Sequence, residues 1–249
     1  MSTRQTKLAL VDDAPERIFV KNHNYSLDGK EWLPGVTSIL RIQDALGGSD
    51  GLVRWAVNLA AKAAFDTAIR PDSPDFDTAL TAAIRATEEP RNKGSRVHEG
   101  IDAAATGRDH VPNPADGALW YQFSRALLAH KIQIVASEQY VIGQGFGGTY
   151  DLDCIIDGRR CLVDTKTGKL KDSFALQLAA YSSAQWQAPK ATDGYPVTPL
   201  PKFEAFYVLM LADDGYRLIE QEVGPAEIQH FQFLVQTHAT LHAWSRKAA

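Results

Sequence analysis

Two β-type segments joined by an Asp-Gly pair constrain the fold of this chain more than any other feature of its sequence. Residues 149–156 and 160–166 are rich in aliphatic and β-branched side chains, and Asp157-Gly158 between them is typical of a two-residue hairpin turn. Counting back from this turn places Asp151 near the level of Asp164 on the partner strand. The sequence therefore predicts an antiparallel hairpin that carries two neighbouring carboxylates.

Helical patterns dominate the residues before this hairpin. Apolar spacing predicts a helix that opens at 36–40 with Thr37 or Ser38 as its cap, and further helices over 52–68, 77–87, 95–105 and 117–130. We predict small strands within 17–33 and a strand over 132–142. After the hairpin, we predict a helix capped by Asp172 or Ser173 that runs to 187, and a loop over 189–201. Strands at 203–211 and 215–222 and a last helix from 224–225 to about 245 follow. This order favours an α/β protein with a mixed central sheet flanked by helices and an N-terminal helical elaboration.

The chain length and composition are those of a soluble globular protein with one sizeable core. The 249 residues are 45% hydrophobic and 22% charged. We expect residues 1–90 to form small strands and helices packed on a core at 91–249, as one continuous unit. The formal net charge of −4 does not by itself indicate a nucleic-acid partner, although basic residues gathered on one face would still attract phosphates locally.

Cysteine usage and hydropathy bear on the compartment. Cys154 and Cys161 are the only cysteines, which is too few for a disulfide framework and favours a reducing environment. No apolar run approaches the roughly 20 residues that span a bilayer, so we expect no membrane partner. The apolar stretch at 8–11 is too short for a signal-peptide core. We therefore expect a cytoplasmic protein.

The second strand of the hairpin suggests hydrolytic chemistry. Asp164 and Lys166 share one face of a strand, whereas the Thr165 side chain points away. With Asp151 opposite, the carboxylates suit Mg²⁺ or Mn²⁺, and the Thr165 carbonyl is a further candidate ligand. Lys166 could orient or deprotonate a water molecule, or stabilise transition-state charge. The alternative is a surface salt bridge between Asp164 and Lys166, which an isolated triplet would favour and the facing acid disfavours.

Three motifs at this point resemble a known family, the PD-(D/E)xK nuclease superfamily in its RecB-like branch, which includes CRISPR-associated and phage exonucleases. The motifs are Gly148-x-x-Asp151, Asp164-Thr165-Lys166-Thr167-Gly168 and Gln177-x-x-x-Tyr181. The resemblance implies a restriction-endonuclease-like core. It also implies that Asp151 and Asp164 hold the metal and that Lys166 is catalytic, with Gln177 and Tyr181 near the active site and the DNA backbone.

Further positions fit the same branch. Gly94-Ser95-Arg96-Val97-His98 resembles its Gly-x-x-x-His helix, whose histidine reaches the metal, and Glu138 resembles the acidic residue on the preceding strand. Taken alone, His98 would be a helix-surface histidine and Glu138 a solvated strand residue. Arg96, Lys169 and Lys171 are the candidate DNA contacts, and solvated turns are the alternative reading of these cations.

One departure from the branch is informative. Many CRISPR-associated relatives carry four cysteines for an iron–sulfur cluster, and Cys154 and Cys161 cannot supply that set. We predict no cluster and interpret both cysteines as buried apolar residues of the hairpin.

The sequence thus predicts a Mg²⁺- or Mn²⁺-dependent deoxyribonuclease, with an exonuclease of recombination, repair or phage DNA metabolism favoured. Its substrate would be single- or double-stranded DNA with ends, and a recombinase or helicase is a candidate partner. Two alternatives stay open: a non-catalytic DNA-binding or assembly module on a nuclease fold, and a structure- or sequence-specific endonuclease. An endonuclease would cut a closed circle, whereas an exonuclease needs an end.

Overall fold

A computed structural model describes residues 15–46, 93–109, 113–190 and 197–245 of the chain. The helices predicted over 52–68 and 77–87 lie outside the described residues. The division at residue 90 stays a prediction, because most of the first segment also lies outside them. No helix of the described residues is long and apolar enough to cross a membrane.

A mixed sheet forms the centre of the protein, with seven strands in the order β10-β9-β6-β5-β4-β7-β8 among the described residues. Strands β6 and β9 pair in parallel, and every other pair of neighbouring strands in this sheet is antiparallel. The strands are β4 Gln133–Gly143, β5 Phe146–Ile156, β6 Arg159–Lys166, β7 Trp186–Pro189, β8 Thr198–Pro199, β9 Ala205–Ala212 and β10 Gly215–Glu220. The predicted α/β class is confirmed.

Helices cover both faces of this sheet because each face presents apolar side chains in the alternating strand pattern. The helices are α1 Val36–Leu46, α2 over 93–106, α3 Gly117–Ala129, α4 Ser173–Ser182 and α5 Pro225–Ser245. One core cluster joins α1, α4 and α5 to the sheet through side chains such as Ile39, Leu178 and Phe231. The other joins α2 and α3 to the opposite face through side chains such as Val97 and Phe123.

A small three-stranded sheet near the N-terminus packs on the start of β5. Its strands are β1 Phe19–Lys21, β2 Asn24–Ser26 and β3 Leu33–Pro34. Tyr25 fits here because Gly147 has no side chain: a Cβ at that glycine would lie 2.3 Å from the Tyr25 Cβ. The Tyr25 hydroxyl lies 3.0 Å from the Thr149 hydroxyl, two residues before Asp151. The small sheet thereby borders the end of β5 that carries the first carboxylate.

The predicted hairpin is present, and its register is the predicted one. Strands β5 and β6 pair Leu152 with Val163 and Cys154 with Cys161 across the turn at 157–158. The two cysteines are free thiols, both buried in the cluster under α2 and α3, which confirms their predicted apolar role. Strand β5 begins three residues before the predicted start.

The helix predicted to run to Gln187 is wrong in its last turn. Helix α4 ends at Ser182, and Trp186–Pro189 instead forms β7 beside β4. The Gln185 amide donates to the Ile142 carbonyl at 2.9 Å, and the Gln187 side chain accepts from the Tyr150 hydroxyl at 2.7 Å. These tertiary bonds favour the extended conformation over one more helical turn.

Two cap predictions also differ from the structure. Helix α1 already begins at Val36, so Thr37 and Ser38 lie inside it, and the Ser38 amide donates to the Gly35 carbonyl at 2.9 Å. Asp172 does precede α4, but its side chain makes no capping hydrogen bond. The starts of α1, α3, α4 and α5 were predicted to within a residue or two, whereas the capping side chains of α1 and α4 were not.

Candidate active site

The register of the hairpin brings the two predicted carboxylates together. Since Leu152 pairs with Val163, the next position along places Asp151 opposite Asp164 on the same face. The Thr165 amide donates to Asp151 Oδ2 at 2.6 Å, and the Thr165 hydroxyl donates to the same oxygen at 2.8 Å. The Thr165 side chain was predicted to point away, but its hydroxyl contacts the Asp151 carboxylate; its carbonyl stays a predicted metal ligand.

Side chains from two further elements, His98 and Glu138, lie beside the Asp151 carboxylate. His98 Nδ1 on α2 lies 3.4 Å from Asp151 Oδ1 and 3.6 Å from Glu138 Oε1 on β4. One ligand atom from each of His98, Glu138 and Asp151 lies within 4.8 Å of the others. A nitrogen and two carboxylate oxygens at this spacing could share one divalent cation.

Glu138 occupies its place through an unusual backbone conformation. Its φ of 45° is left-handed although it is not a glycine, and it lies inside β4. Any residue with a Cβ is less stable in this conformation than glycine is, and such strained positions concentrate at functional sites. The Glu138 carboxylate also receives a hydrogen bond of 2.7 Å from the Lys190 ammonium.

Asp164 is the least satisfied acid of the site. Its side chain is 1% exposed, and apart from the contact with Lys166 neither carboxylate oxygen has a hydrogen-bond partner among the described residues. The Lys166 ammonium forms an ion pair with it, 2.5 Å from Oδ2, and also lies over the Phe174 ring. A buried carboxylate without hydrogen bonds is costly to a fold and calls for an explanation.

The pKa values of the site follow from burial and from mutual charge. Burial raises the pKa of Asp164 to about 6, although the nearby Lys166 charge opposes this. Burial would also raise the pKa of Asp151, but the His98 charge and its hydrogen bond outweigh it, so that pKa is lowered. Burial would lower the pKa of His98, yet the Asp151 charge and hydrogen bonds to Asp151 and Glu138 raise it to about 10. The two neighbouring carboxylates therefore stabilise a positive charge on His98, as they could stabilise that of a bound cation.

These observations test whether the residues fit a divalent metal. The donor set consists of two carboxylate oxygens and one imidazole nitrogen, which are ligands for a divalent cation. The Asp164 carboxylate is close enough to Asp151 for their charges to interact, and apart from Lys166 it has no partner among the described residues, so it could serve a cation held beside Asp151. The residues present fit the group.

Gln177 and Tyr181 lie together on α4, where the sequence places them one turn apart. The Gln177 side-chain amide donates to the Tyr181 hydroxyl at 2.9 Å, and both side chains are buried. A Cβ at Gly148 would lie 2.7 Å from Cε1 of Tyr181, so the glycine makes room for this ring. Burial raises the pKa of the Tyr181 phenol, as do the charges of Asp164 and Asp151, so the phenol stays neutral beside the carboxylates.

The predicted DNA contacts differ in how available they are. Lys169 and Lys171 are exposed just after β6, and Lys171 lies 3.9 Å from the Asp44 carboxylate. Arg96 instead donates from Nε and Nη2 to Asp116, at 2.7 and 3.1 Å. Asp116 is buried, and hydrogen bonding from Arg96 lowers its pKa. This arginine anchors α2, the helix that carries His98, to the segment before α3.

The structure adds residues that the sequence interpretation missed. Lys190 falls in the predicted loop and turns out to contact Glu138. The Ser137 hydroxyl donates to Asp102 Oδ1 at 2.6 Å, which joins β4 to α2 one turn beyond His98. No sequence signal pointed to either contact, because both depend on where distant segments meet.

Comparisons with known proteins give a limited result. No model of a known protein family matches the sequence, and no curated protein matches it. Among solved structures, the alkaline exonuclease LHK-Exo from Laribacter hongkongensis aligns with 76% of this chain and 91% of its own, at 13% identity and a TM-score of 0.35. LHK-Exo in complex with dAMP aligns with 78% of this chain and 95% of its own, at 15% identity and a TM-score of 0.32. The protein SSO0001 aligns with 51% of this chain and 59% of its own, at 13% identity and a TM-score of 0.29. These identities and TM-scores are too low to assign a chemistry.

Proposed function

We propose that this protein is a divalent-metal-dependent nuclease that hydrolyses phosphodiester bonds in DNA. One observation carries the proposal: the His98, Glu138 and Asp151 cluster adjoins the buried Asp164 carboxylate, which has no hydrogen bond among the described residues and a lysine beside it. A structural ion pair would not need three further ligand groups around it. A phosphodiester hydrolase needs this combination.

In this proposal, His98, Asp151 and Asp164 hold Mg²⁺ or Mn²⁺, and Glu138 completes the set. The bound cation would supply a water of lowered pKa and would neutralise charge on the phosphate. The two Thr165 donors hold one Asp151 oxygen in place, which leaves the other oxygen directed at His98. Strands β5 and β6 therefore preorganise the carboxylates before substrate arrives.

Lys166 acts in this proposal through its charge and its proton. Burial would lower its pKa, but the charges of Asp164 and Asp151 raise it above the ordinary value. An ammonium that stays protonated is a poor general base. The roles of orienting the water and stabilising transition-state charge are therefore better supported for Lys166 than deprotonating the water. Lys166 would donate to a phosphate oxygen or to the attacking water and hold it in line.

Gln177 and Tyr181 would position the scissile strand beside this lysine, since both lie on the helix that covers the same face of β6. Lys169 and Lys171 would contact the phosphates that follow, because both are exposed immediately after β6. We further propose membership of the RecB-like branch of the PD-(D/E)xK superfamily, on the strength of the three sequence motifs. That branch favours an exonuclease of recombination, repair or phage DNA metabolism, with a recombinase or helicase as partner.

The test is cleavage of end-labelled linear DNA and of covalently closed circular DNA by the full chain, with Mg²⁺, with Mn²⁺ or with a chelator. Lys166→Ala is compared with wild type and with Lys202→Ala, which removes an exposed lysine elsewhere. We expect metal-dependent loss of linear DNA only, reduced by about 100-fold or more in Lys166→Ala and unchanged in Lys202→Ala.

Other outcomes would redirect the assignment. Cutting of the closed circle would make the protein an endonuclease. Retained DNA binding without cleavage of either substrate would favour the non-catalytic binding module. Cleavage that persists in the chelator would contradict the metal-dependent mechanism.

A further inference from the structure

We propose that Lys190 holds Glu138 as a one-oxygen ligand and thereby makes the site select Mg²⁺ or Mn²⁺ over Ca²⁺. This inference rests on the proposed metal-dependent function and adds to it a residue that determines metal specificity. Lys190 is absent from the sequence motifs. Its role follows from contacts that involve one carboxylate oxygen and leave the other in the cluster.

Lys190 grips Glu138 at two points. Its ammonium donates to Glu138 Oε2 at 2.7 Å, and its backbone amide donates to the Glu138 carbonyl at 3.1 Å. The second contact continues the pairing of β7 with β4, in which Pro189 lies opposite Gln139. Because the backbone is tied, the lysine side chain reaches Glu138 from a fixed starting point.

Glu138 is held from the opposite side as well. The hydroxyl of the preceding residue, Ser137, donates to Asp102 on α2 at 2.6 Å. The left-handed φ of 45° at Glu138 lies between these two attachments. A strained conformation persists only where its surroundings determine it, so the contacts of Ser137 and Lys190 together keep this carboxylate facing His98.

The two oxygens of Glu138 consequently differ. Oε2 is occupied by the Lys190 ammonium, whereas Oε1 lies 3.6 Å from His98 Nδ1 and belongs to the ligand cluster. Mg²⁺ demands near-octahedral coordination by single oxygens, while Ca²⁺ accepts six to eight ligands and readily takes both oxygens of one carboxylate. A glutamate restricted to one oxygen therefore suits the smaller cation and denies Ca²⁺ an additional ligand.

Charge and ligand number can be separated in the experiment. Removing the Lys190 charge would raise the affinity for every divalent cation by a similar factor, because Mn²⁺ and Ca²⁺ carry the same charge. Releasing Oε2 would favour Ca²⁺ alone. The ratio of the Ca²⁺ and Mn²⁺ dissociation constants therefore reports the denticity of Glu138 rather than the electrostatics.

The experiment is calorimetric titration of the metal-free full chain with Mn²⁺ and with Ca²⁺, without DNA. The variants are Lys190→Met, which removes the donor and keeps the stem, Lys190→Arg, which keeps charge and donors, and Lys202→Met as an exposed control. Glu138→Gln is titrated alone and with Lys190→Met. Circular dichroism confirms that each variant is folded; the Lys190 side chain is 49% exposed, so its truncation leaves no buried cavity.

We expect Lys190→Met to shift the ratio towards Ca²⁺ by about tenfold, the lower end of the effects seen for residues that support metal ligands. Lys190→Arg and Lys202→Met should keep the wild-type ratio, and Lys190→Met should have no effect on the ratio in the Glu138→Gln protein. An unchanged ratio in Lys190→Met, with wild-type metal binding and cleavage intact, would overturn this inference alone. Wild-type protein that binds neither cation would overturn the proposed function and this inference together.

Discussion

Replacing Asp164 with asparagine should stabilise the metal-free protein while it destroys the proposed metal site. Asp164 is 1% exposed and its carboxylate oxygens have no hydrogen bond among the described residues. Ionised groups in such surroundings cost free energy unless a charge or a cation compensates. An asparagine of nearly the same shape carries no charge, so the metal-free fold should gain where the loaded enzyme loses.

The size of the effect follows from the pKa of this carboxyl. Burial raises it from the ordinary 3.8 to about 6. Each pKa unit corresponds to about 1.4 kcal/mol, so the ionised Asp164 costs the native state roughly 3 kcal/mol. For an acid whose pKa is raised by folding, the penalty is absent below the ordinary pKa, grows as the pH rises towards 6, and is complete above it. Because this pKa already includes the attraction of Lys166, roughly 3 kcal/mol is the full gain, and we expect Asp164→Asn to stabilise the metal-free protein by about 1–3 kcal/mol at pH 8.

The same hairpin supplies a matched control. Asp153 on β5 is also fully buried, but Arg160 donates to both of its oxygens at 2.5 to 3.1 Å. Asp153→Asn should therefore lower the free energy of unfolding by about 1–3 kcal/mol, since it breaks satisfied, charge-assisted bonds. The two substitutions are chemically identical and lie on adjacent strands, yet they should act in opposite directions.

The assay is thermal and urea unfolding in chelator at pH 8 and pH 5, followed by circular dichroism. At about 2–4 °C per kcal/mol for a chain of this size, Asp164→Asn should melt roughly 2–12 °C above wild type at pH 8. The gain should shrink at pH 5, where part of the wild-type Asp164 is protonated. If Asp164→Asn is destabilised as much as Asp153→Asn, the carboxylate is not a cost to the metal-free fold, and the case for a cation beside it is lost.

Three further predictions concern the same site. Because the His98 pKa is raised to about 10, a cation must displace the His98 proton, so metal affinity should rise by up to about tenfold per pH unit between pH 6 and 9. Calorimetry in two buffers of different ionisation enthalpy should detect one proton released on metal binding to wild type and none in His98→Gln. Tyr181→Phe should leave the Gln177 amide without its acceptor and lower the free energy of unfolding by about 1–3 kcal/mol. In a double-mutant cycle with Gln177→Leu, fully additive losses of unfolding free energy would contradict an interaction between the two side chains. Gly148→Ala should displace the Tyr181 ring, lower the free energy of unfolding by about 1–3 kcal/mol and abolish cleavage. Gly168→Ala is the control and should change neither unfolding nor cleavage, because a Cβ there would meet open space.

The parts of the site that the sequence predicts are those fixed by local geometry. The turn at Asp157-Gly158 sets the register of a two-strand hairpin, so counting residues is enough to place Asp151 opposite Asp164. One helical turn separates Gln177 from Tyr181, and this spacing is enough to bring their side chains together. In both cases the partner lies on the same or the adjacent element.

The parts that the sequence could not predict depend on where remote segments meet. The first two residues of β7, Trp186 and Gln187, were predicted as the end of a helix, because this short strand has no periodic pattern. Its conformation comes from pairing with β4. The contact of Lys190 with Glu138 depends on that pairing, and the left-handed backbone at Glu138 depends on contacts from both sides. Propensity describes a segment by itself, so it is silent on conformations that neighbouring elements impose.

The contrast between the buried acids Asp153 and Asp164 is the strongest structural argument for the proposed catalytic site over a non-catalytic DNA-binding module. Arg160 donates to both carboxylate oxygens of Asp153, so this hairpin can accommodate a buried carboxylate with all its hydrogen bonds made. Eleven residues later it leaves Asp164 with only the Lys166 ion pair among the described residues, next to the charges of Asp151 and His98. A module that only bound DNA would gain stability by replacing this group, whereas a metal-dependent enzyme needs it to stay open. A functional site is expected to contain groups that lower the stability of the fold, and Asp164 is such a group whereas the nearby Asp153 is not.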